Sequence, residues 1–223
     1  MSLTIELTHA TVLFSGRAEG DLGRTAGEAG AEVLANRAAL LARCGVASIG
    51  VPHQVHGTTI ATKAGGSGYS IGPATADGLA STARGDAVAV HVADCLPIAI
   101  AGAGGVVVVH GGWRGLAGGV IEAGIKALRD IGVDGPLEAA IGPGAGGCCY
   151  EVGPEVHAAL VGYDANNGDR ISLAAVAAAQ LKAAAVASTD TGICTICAPA
   201  GMLFSHRGDG PGTGRQAGVA WLR

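Results

Sequence analysis

The chain has 223 residues, of which 49% are hydrophobic and 14% charged, so it can bury a substantial core and is not a disordered segment. A net charge of -4 and an aromatic content of 3% argue against a nucleic-acid backbone as the main partner, because basic patches and stacking platforms are both lacking. No apolar run approaches the roughly eighteen residues of a membrane span. The opening residues carry neither a basic n-region nor a small-residue cleavage site, so the expectation is a cytoplasmic protein with no membrane partner. In that compartment the six cysteines are expected to be thiols or metal ligands and not disulfides.

In chain order, "LTIELTHATVLFSG" reads as two short strands with a break near His9. "AEVLANRAALLARCG" has the apolar spacing of a helix, with Gly45 as its stop. "ASIGVPHQVHGTTIA" reads as a strand interrupted by a polar knot at residues 53–57, and "AGGSGYSIGP" as a flexible loop. "DAVAVHVADCLPIAIAG" and "GVVVVH" are near-continuous apolar runs, expected as central strands covered on both faces. "GLAGGVIEAGIKALRDIG" is predicted as one helix with Leu116, Val120, Ile121, Ile125 and Leu128 on one face. "PLEAAIGPG" returns as a strand, "GPEVHAALVG" opens a short helix at Pro154, and "ISLAAVAAAQLKAAAVAS" is a longer helix. "RQAGVAWLR" closes as a strand. Strands and helices intermix without a linker or a repeat, so a single α/β (α+β) domain over residues 1–223 is expected.

Three ligand-type residues end or interrupt apolar segments: His56 in "QVHG", Cys95 in "VADC" and His110 in "VVVVHGGWRG". Two His and one Cys leave a tetrahedral zinc one open position, the arrangement of catalytic sites. Taken singly, each has a plainer reading, as a buried thiol or a hydrogen-bonded imidazole. Arg114 and the turn at Gly111 and Gly112 offer a guanidinium and backbone N–H groups to a phosphate or carboxylate, although an arginine solvated at a helix start would look the same. Gln54 and Asp94, beside His56 and Cys95, are candidates for orienting ligands or substrate, with loop hydrogen bonding as the alternative. "GPGAGG" at 142–147 fits a dinucleotide-binding pattern only formally, since no good helix opens after it. Cys194 and Cys197 in "CTIC" would need a second pair to make a zinc knuckle, and none is evident. The adjacent Cys148 and Cys149 read most simply as buried thiols.

With "QVHG", "ADC", "HGGWRG", "IGPGAGGCCYEVGPEV" and "FSHRGDGPGTGRQAGVAWL" in order, the chain resembles the laccase-domain proteins. These are also called multicopper polyphenol oxidases and are described as purine nucleoside phosphorylases. The resemblance implies an α/β/α sandwich with a mixed central sheet and a zinc held by His56, Cys95 and His110. It also implies phosphorolysis of adenosine, inosine, guanosine and methylthioadenosine, with adenosine deamination beside it. Purine nucleosides and phosphate are then the small-molecule partners, the three ligands and Arg114 the catalytic group, and copper a substitute metal. The family's longer N-terminal loop is shortened here to "FSGRAEGDLGRTAGEAG", its "HAGWRG" is "HGGWRG", and its tyrosine in "FSYR" is His206. Two rival chemistries stay open. A copper-dependent phenol oxidase needs many paired ligands, yet the seven histidines include no His-x-His. A Cys–His hydrolase or amidase acting on cell-wall precursors would use Cys95 as nucleophile and His110 as base.

Overall fold

Residues 106–109 are four valines with no exposed surface, and they face two ways. In the computed structural model Val106 and Val108 join one apolar cluster, and Val107 and Val109 join another. A strand whose side chains alternate can be apolar throughout only when both faces are covered. Here a second sheet covers one face and helices cover the other. The structure describes residues 2–23, 30–63, 65–163 and 166–223, without the side chains of residues 73, 166 and 167.

The first sheet is ordered Leu3–Glu6 (β1), Ala10–Phe14 (β2), Gln216–Leu222 (β14), Asp86–Val92 (β7), Ser48–His53 (β3) and Gly68–Thr75 (β5). The second is ordered Ala187–Asp190 (β13), Glu138–Ile141 (β10), Leu96–Gly102 (β8), Gly105–Gly111 (β9), Gly78–Ser81 (β6) and Ile60–Thr62 (β4). Both sheets mix parallel and antiparallel pairs. Asn166–Asn167 (β11) and Arg170–Ile171 (β12) form a small hairpin. Helix Ala31–Cys44 (α1) covers the first sheet through Leu40 and Cys44, packed with Ile49, Val51 and Val219. Helices Trp113–Gly118 (α2), Val120–Asp130 (α3) and Leu173–Ala183 (α5) cover the second through Leu116, Ile121, Leu128 and Val176. Two further short helices are Pro154–Ala159 (α4) and His206–Asp209 (α6), and Arg17–Glu19 forms a single 3-10 turn. The sequence indicates an α+β domain with mixed β structure and outer helices, and that is what is found. The middle of the sandwich is two stacked sheets.

Three local expectations change. The glycine-rich stretch predicted as a loop supplies β5, which pairs in parallel with β3 at the sheet edge. The helix predicted across residues 115–132 breaks at Gly119, whose φ of 89° is open to glycine and costly for other residues. The polar knot at 53–57 does not interrupt one strand, because β3 lies in the first sheet and β4 in the second. The chain crosses between sheets there, crosses again from β5 to β6 and from β7 to β8, and all three crossings bear on the site below.

The sheets approach closely where Gly218 of β14 faces Pro97 of β8: a Cβ built on Gly218 would lie 2.3 Å from the Pro97 Cβ. Gly218→Ala should therefore cost about 1–3 kcal/mol by overpacking, measured as a lower urea midpoint with unchanged slope.

Candidate metal centre

The three ligand-type residues arrive on separate pieces of backbone. His56 lies in the β3–β4 crossing, Cys95 in the β7–β8 crossing, and His110 next to last in β9. Their ligand atoms all lie within 4.8 Å of one another. Cys95 Sγ is 3.9 Å from His56 Nε2, and the two imidazoles meet edge to face with centroids 4.7 Å apart. His110 is buried, Cys95 partly so, and His56 exposed, so the trio opens to solvent on one side. Two imidazole nitrogens and one thiolate at these separations fit a tetrahedral zinc with a free fourth position.

The residue that sets this geometry is Asp77, which the sequence reading passed over. It stands in the two-residue β5–β6 crossing and has no exposed surface. Its Oδ1 lies 2.8 Å from His110 Nδ1, which turns the other ring nitrogen toward Cys95 and His56. The same carboxylate accepts backbone N–H bonds from Val55 at 3.2 Å, His56 at 2.8 Å and Gly57 at 2.6 Å. These hold His56 at a φ of 62°, unusual for a residue with a side chain. Burial would push the Asp77 carboxyl up, but the His110 bond and the Gly57 and Val55 N–H groups outweigh it and hold it down to about 2. The signal for Asp77 was a lone acidic residue between apolar segments in "ATADGLA".

Asp94 has a comparable role for Cys95. It turns the chain at a φ of 92°, and its buried carboxylate accepts from Thr195 Oγ1 at 2.6 Å, Ser205 Oγ at 2.7 Å and the Arg207 N–H at 2.7 Å. With those bonds made, Asp94 fixes the loop that presents the thiol. Gln54 clamps β7 by donating to the His91 carbonyl and accepting the His91 N–H, both at 2.8 Å. Gly112 is the space the trio needs: a Cβ there would come within 3.1 Å of His56 Cδ2 and 3.2 Å of Cys95 Sγ. Gly111 is packed against Ile98 and Leu96 instead.

A cavity of about 500 Å³ opens over the trio, and Gln54, Asp94, Ile71 and Tyr150 are among the residues that line it. Arg114 is outside that lining; it is exposed and lies over the Trp113 ring, 4.2 Å from its centroid. Two arginines that the sequence reading left aside, Arg207 and Arg215, stand in the wall, as does His206. Part of the shortened N-terminal loop, residues 24–29, lies outside the described residues.

In the metal-free protein the trio carries separated charge. Burial raises the Cys95 thiol, but bonding to His110 and His56 more than reverses this and brings it down to about 6. Burial lowers His110, and Asp77 and Cys95 overcome it to lift the imidazole to about 9. Between those values a thiolate faces an imidazolium. After chelation, alkylation of Cys95 followed by peptide mass spectrometry should rise through pH of about 6, and His110→Ala should move the rise toward the ordinary thiol range. Asp77→Asn removes the charge that orients His110 and should weaken metal binding by the trio roughly ten- to a hundredfold in a chelator competition.

Residues 10–223 match the family described as multi-copper polyphenol oxidoreductase laccase. A purine nucleoside phosphorylase of Xylella fastidiosa strain Temecula1 is 36% identical over 91% of this chain and 84% of its own length. A Streptomyces griseus protein, purine nucleoside phosphorylase ORF3, is 34% identical over 92% of this chain and 87% of its own. Among solved structures, a Neisseria meningitidis protein of family DUF152 superposes with a TM-score of 0.83 at 27% identity, covering 99% of this chain and 98% of that one. YlmD from Geobacillus stearothermophilus gives 0.76 at 25%, covering 96% and 91%. A match over nearly the whole chain, the shared architecture and the ligand trio lead to one conclusion: this chain belongs to the laccase-domain family of multi-copper polyphenol oxidoreductase laccases.

Proposed function

We propose that the protein is a metal-dependent purine nucleoside phosphorylase, with zinc held by His56, Cys95 and His110. The observation that carries this reading is an open three-ligand set beneath a cavity that also holds two arginines. The names of the Xylella and Streptomyces relatives support it. Bound there, zinc supplies Lewis acidity and an open coordination position, the same chemistry that adenosine deamination draws on; copper is a substitute by ligand type.

The chain's own residues do the rest. In phosphorolysis the phosphate oxygen bonds to the ribose anomeric carbon while the bond to the purine nitrogen breaks, and the leaving purine takes up a proton. Arg207 and Arg215 are the cavity cations suited to phosphate. Arg207 is braced on the Glu151 carbonyl at 2.7 Å and over the Tyr150 ring at 5.1 Å. Ile71 and Tyr150 offer the purine an apolar and an aromatic wall. Of the wall histidines outside the trio, His91 is engaged with Tyr69 and held down to about 3 by burial, which leaves His53 and His206 to give the purine its proton. Asp77 and Asp94 keep the ligands from shifting as substrate enters.

A second reading has its own observation. Asp77, His110 and Cys95 stand in the order orienting carboxylate, base and thiol that a cysteine hydrolase or amidase uses. The family's description adds copper-dependent phenol oxidation. Metal dependence separates the three. The zinc-loaded protein should convert inosine and phosphate to hypoxanthine and ribose 1-phosphate without oxygen, and chelation should abolish turnover. Amide hydrolysis that survives chelation, or fast oxygen-dependent phenol turnover only with copper, would replace the phosphorylase reading by the corresponding alternative.

The arginines give a further expectation. Arg207→Ala should raise the apparent KM for phosphate about ten- to a hundredfold, the equivalent of roughly 1.5–3 kcal/mol for a charge-assisted contact. Arg114→Ala is the comparison, expected to leave phosphate dependence near wild type. The opposite ranking in steady-state kinetics would return the anion to Arg114.

A further inference from the structure

We propose that Cys148, Cys149, Cys194 and Cys197 form a second metal site, a closed tetrathiolate that holds a structural zinc ion. The four sulfurs lie within 4.8 Å of one another, with Cys148 and Cys197 Sγ 3.5 Å apart. Zinc–sulfur bonds of about 2.3 Å in a tetrahedron place sulfurs about 3.8 Å apart, so one ion spans the cluster with little movement. A disulfide needs about 2.05 Å, and all four cysteines are free. The expectation that Cys148 and Cys149 are buried thiols is corrected: Cys148 and Cys197 are exposed, and the pair completes the knuckle that "CTIC" alone lacked.

The fold brings these residues together deliberately. β10 and β13 are parallel neighbours, with Ile141 opposite Asp190, so the loops that follow them leave the sheet at the same end. Gly144 forms a bridge with Cys194, reinforced by bonds of 3.2 Å from the Gly144 N–H to the Ile193 carbonyl and 3.0 Å from the Thr195 N–H to the Gly144 carbonyl. The Gly146 N–H donates to Cys194 Sγ at 3.3 Å, the kind of donor that a thiolate retains when it binds a metal. Gly146 has no side chain for a steric reason: its Cβ would lie 3.1 Å from Cys194 Cβ and 3.3 Å from Cys148 Sγ. On binding, four thiols release four protons and no electron moves.

The site is distinct from the open trio, and its role follows from what its two loops hold. Thr195 donates to the Asp94 carboxylate at 2.6 Å, and the Ala145 N–H donates to the Asp94 carbonyl at 2.7 Å. A metal clasp between the loops therefore braces the turn that presents Cys95.

The test counts metal on folded, gel-filtered protein prepared with reductant and supplied with zinc. Wild type should carry about two zinc ions per chain, Cys197→Ser about one, and the double variant His56→Ala, His110→Ala also about one. In that double variant, cobalt in place of zinc should give the thiolate-to-metal charge-transfer absorption of several sulfur ligands, lost on further Cys148→Ser substitution. An unchanged zinc count in Cys197→Ser would overturn the site. So would a wild-type content of about one that vanishes in the histidine variant, or peptide mapping that finds these four cysteines joined as disulfides; neither outcome requires a cysteine variant to fold.

Discussion

A single buried carboxylate, that of Asp77, holds the functional end of the molecule in place. It has no exposed surface, so its charge must be answered within the protein. It is answered by three consecutive backbone N–H groups from one sheet crossing and by the ring of a histidine at the end of a strand from the second sheet. The His110 N–H also returns to the Asp77 carbonyl at 2.7 Å, so side chain and backbone are tied at once. His56 keeps its left-handed backbone and His110 its ring orientation because of this one group. Without it, His56 would lose its position, and His110 its ring orientation and tautomer.

The trio was legible in the sequence because each member ends or interrupts an apolar run, and a strand end is where a rigid scaffold can offer a ligand. Helix α1 was legible for a similar local reason, with Gly45 in the left-handed conformation closing it. Asp77 was not, because an aspartate in a short crossing looks like any turn residue until burial and partners are known. β5 was missed since its glycines signal flexibility locally, while its order comes from pairing with β3, a partner distant in sequence. The cysteine cluster escaped for a topological reason. Its two pairs are brought to the same end of the sheet by the parallel alignment of β10 and β13, which no spacing rule encodes. Arg114 attracted notice for its nearness to His110 along the chain, but the helix start turns it outward over Trp113.

The relation between the ligand trio and chemistry is set by what occupies it. Asp77 bound to His110 is the partner that a metal-ligating histidine requires, and equally the orienting acid that a thiol–imidazole pair requires. The protein backbone does not distinguish the two. A metal ion does, by taking the lone pairs that would otherwise pass a proton between sulfur and nitrogen. The same atoms thus suit either arrangement.

β14 sits inside the first sheet, between β2 and β7, although it is the last strand in the sequence. Until residues 216–222 have been made, no strand joins β2 to β7, and the two halves of that sheet remain divided. At typical elongation rates of about 5–20 residues per second, the nascent chain spends many seconds in this divided state. Closing the sheet therefore waits for a strand made well after its neighbours, and in that interval the open edges of β2 and β7 are exposed to chaperone capture or to pairing with another chain.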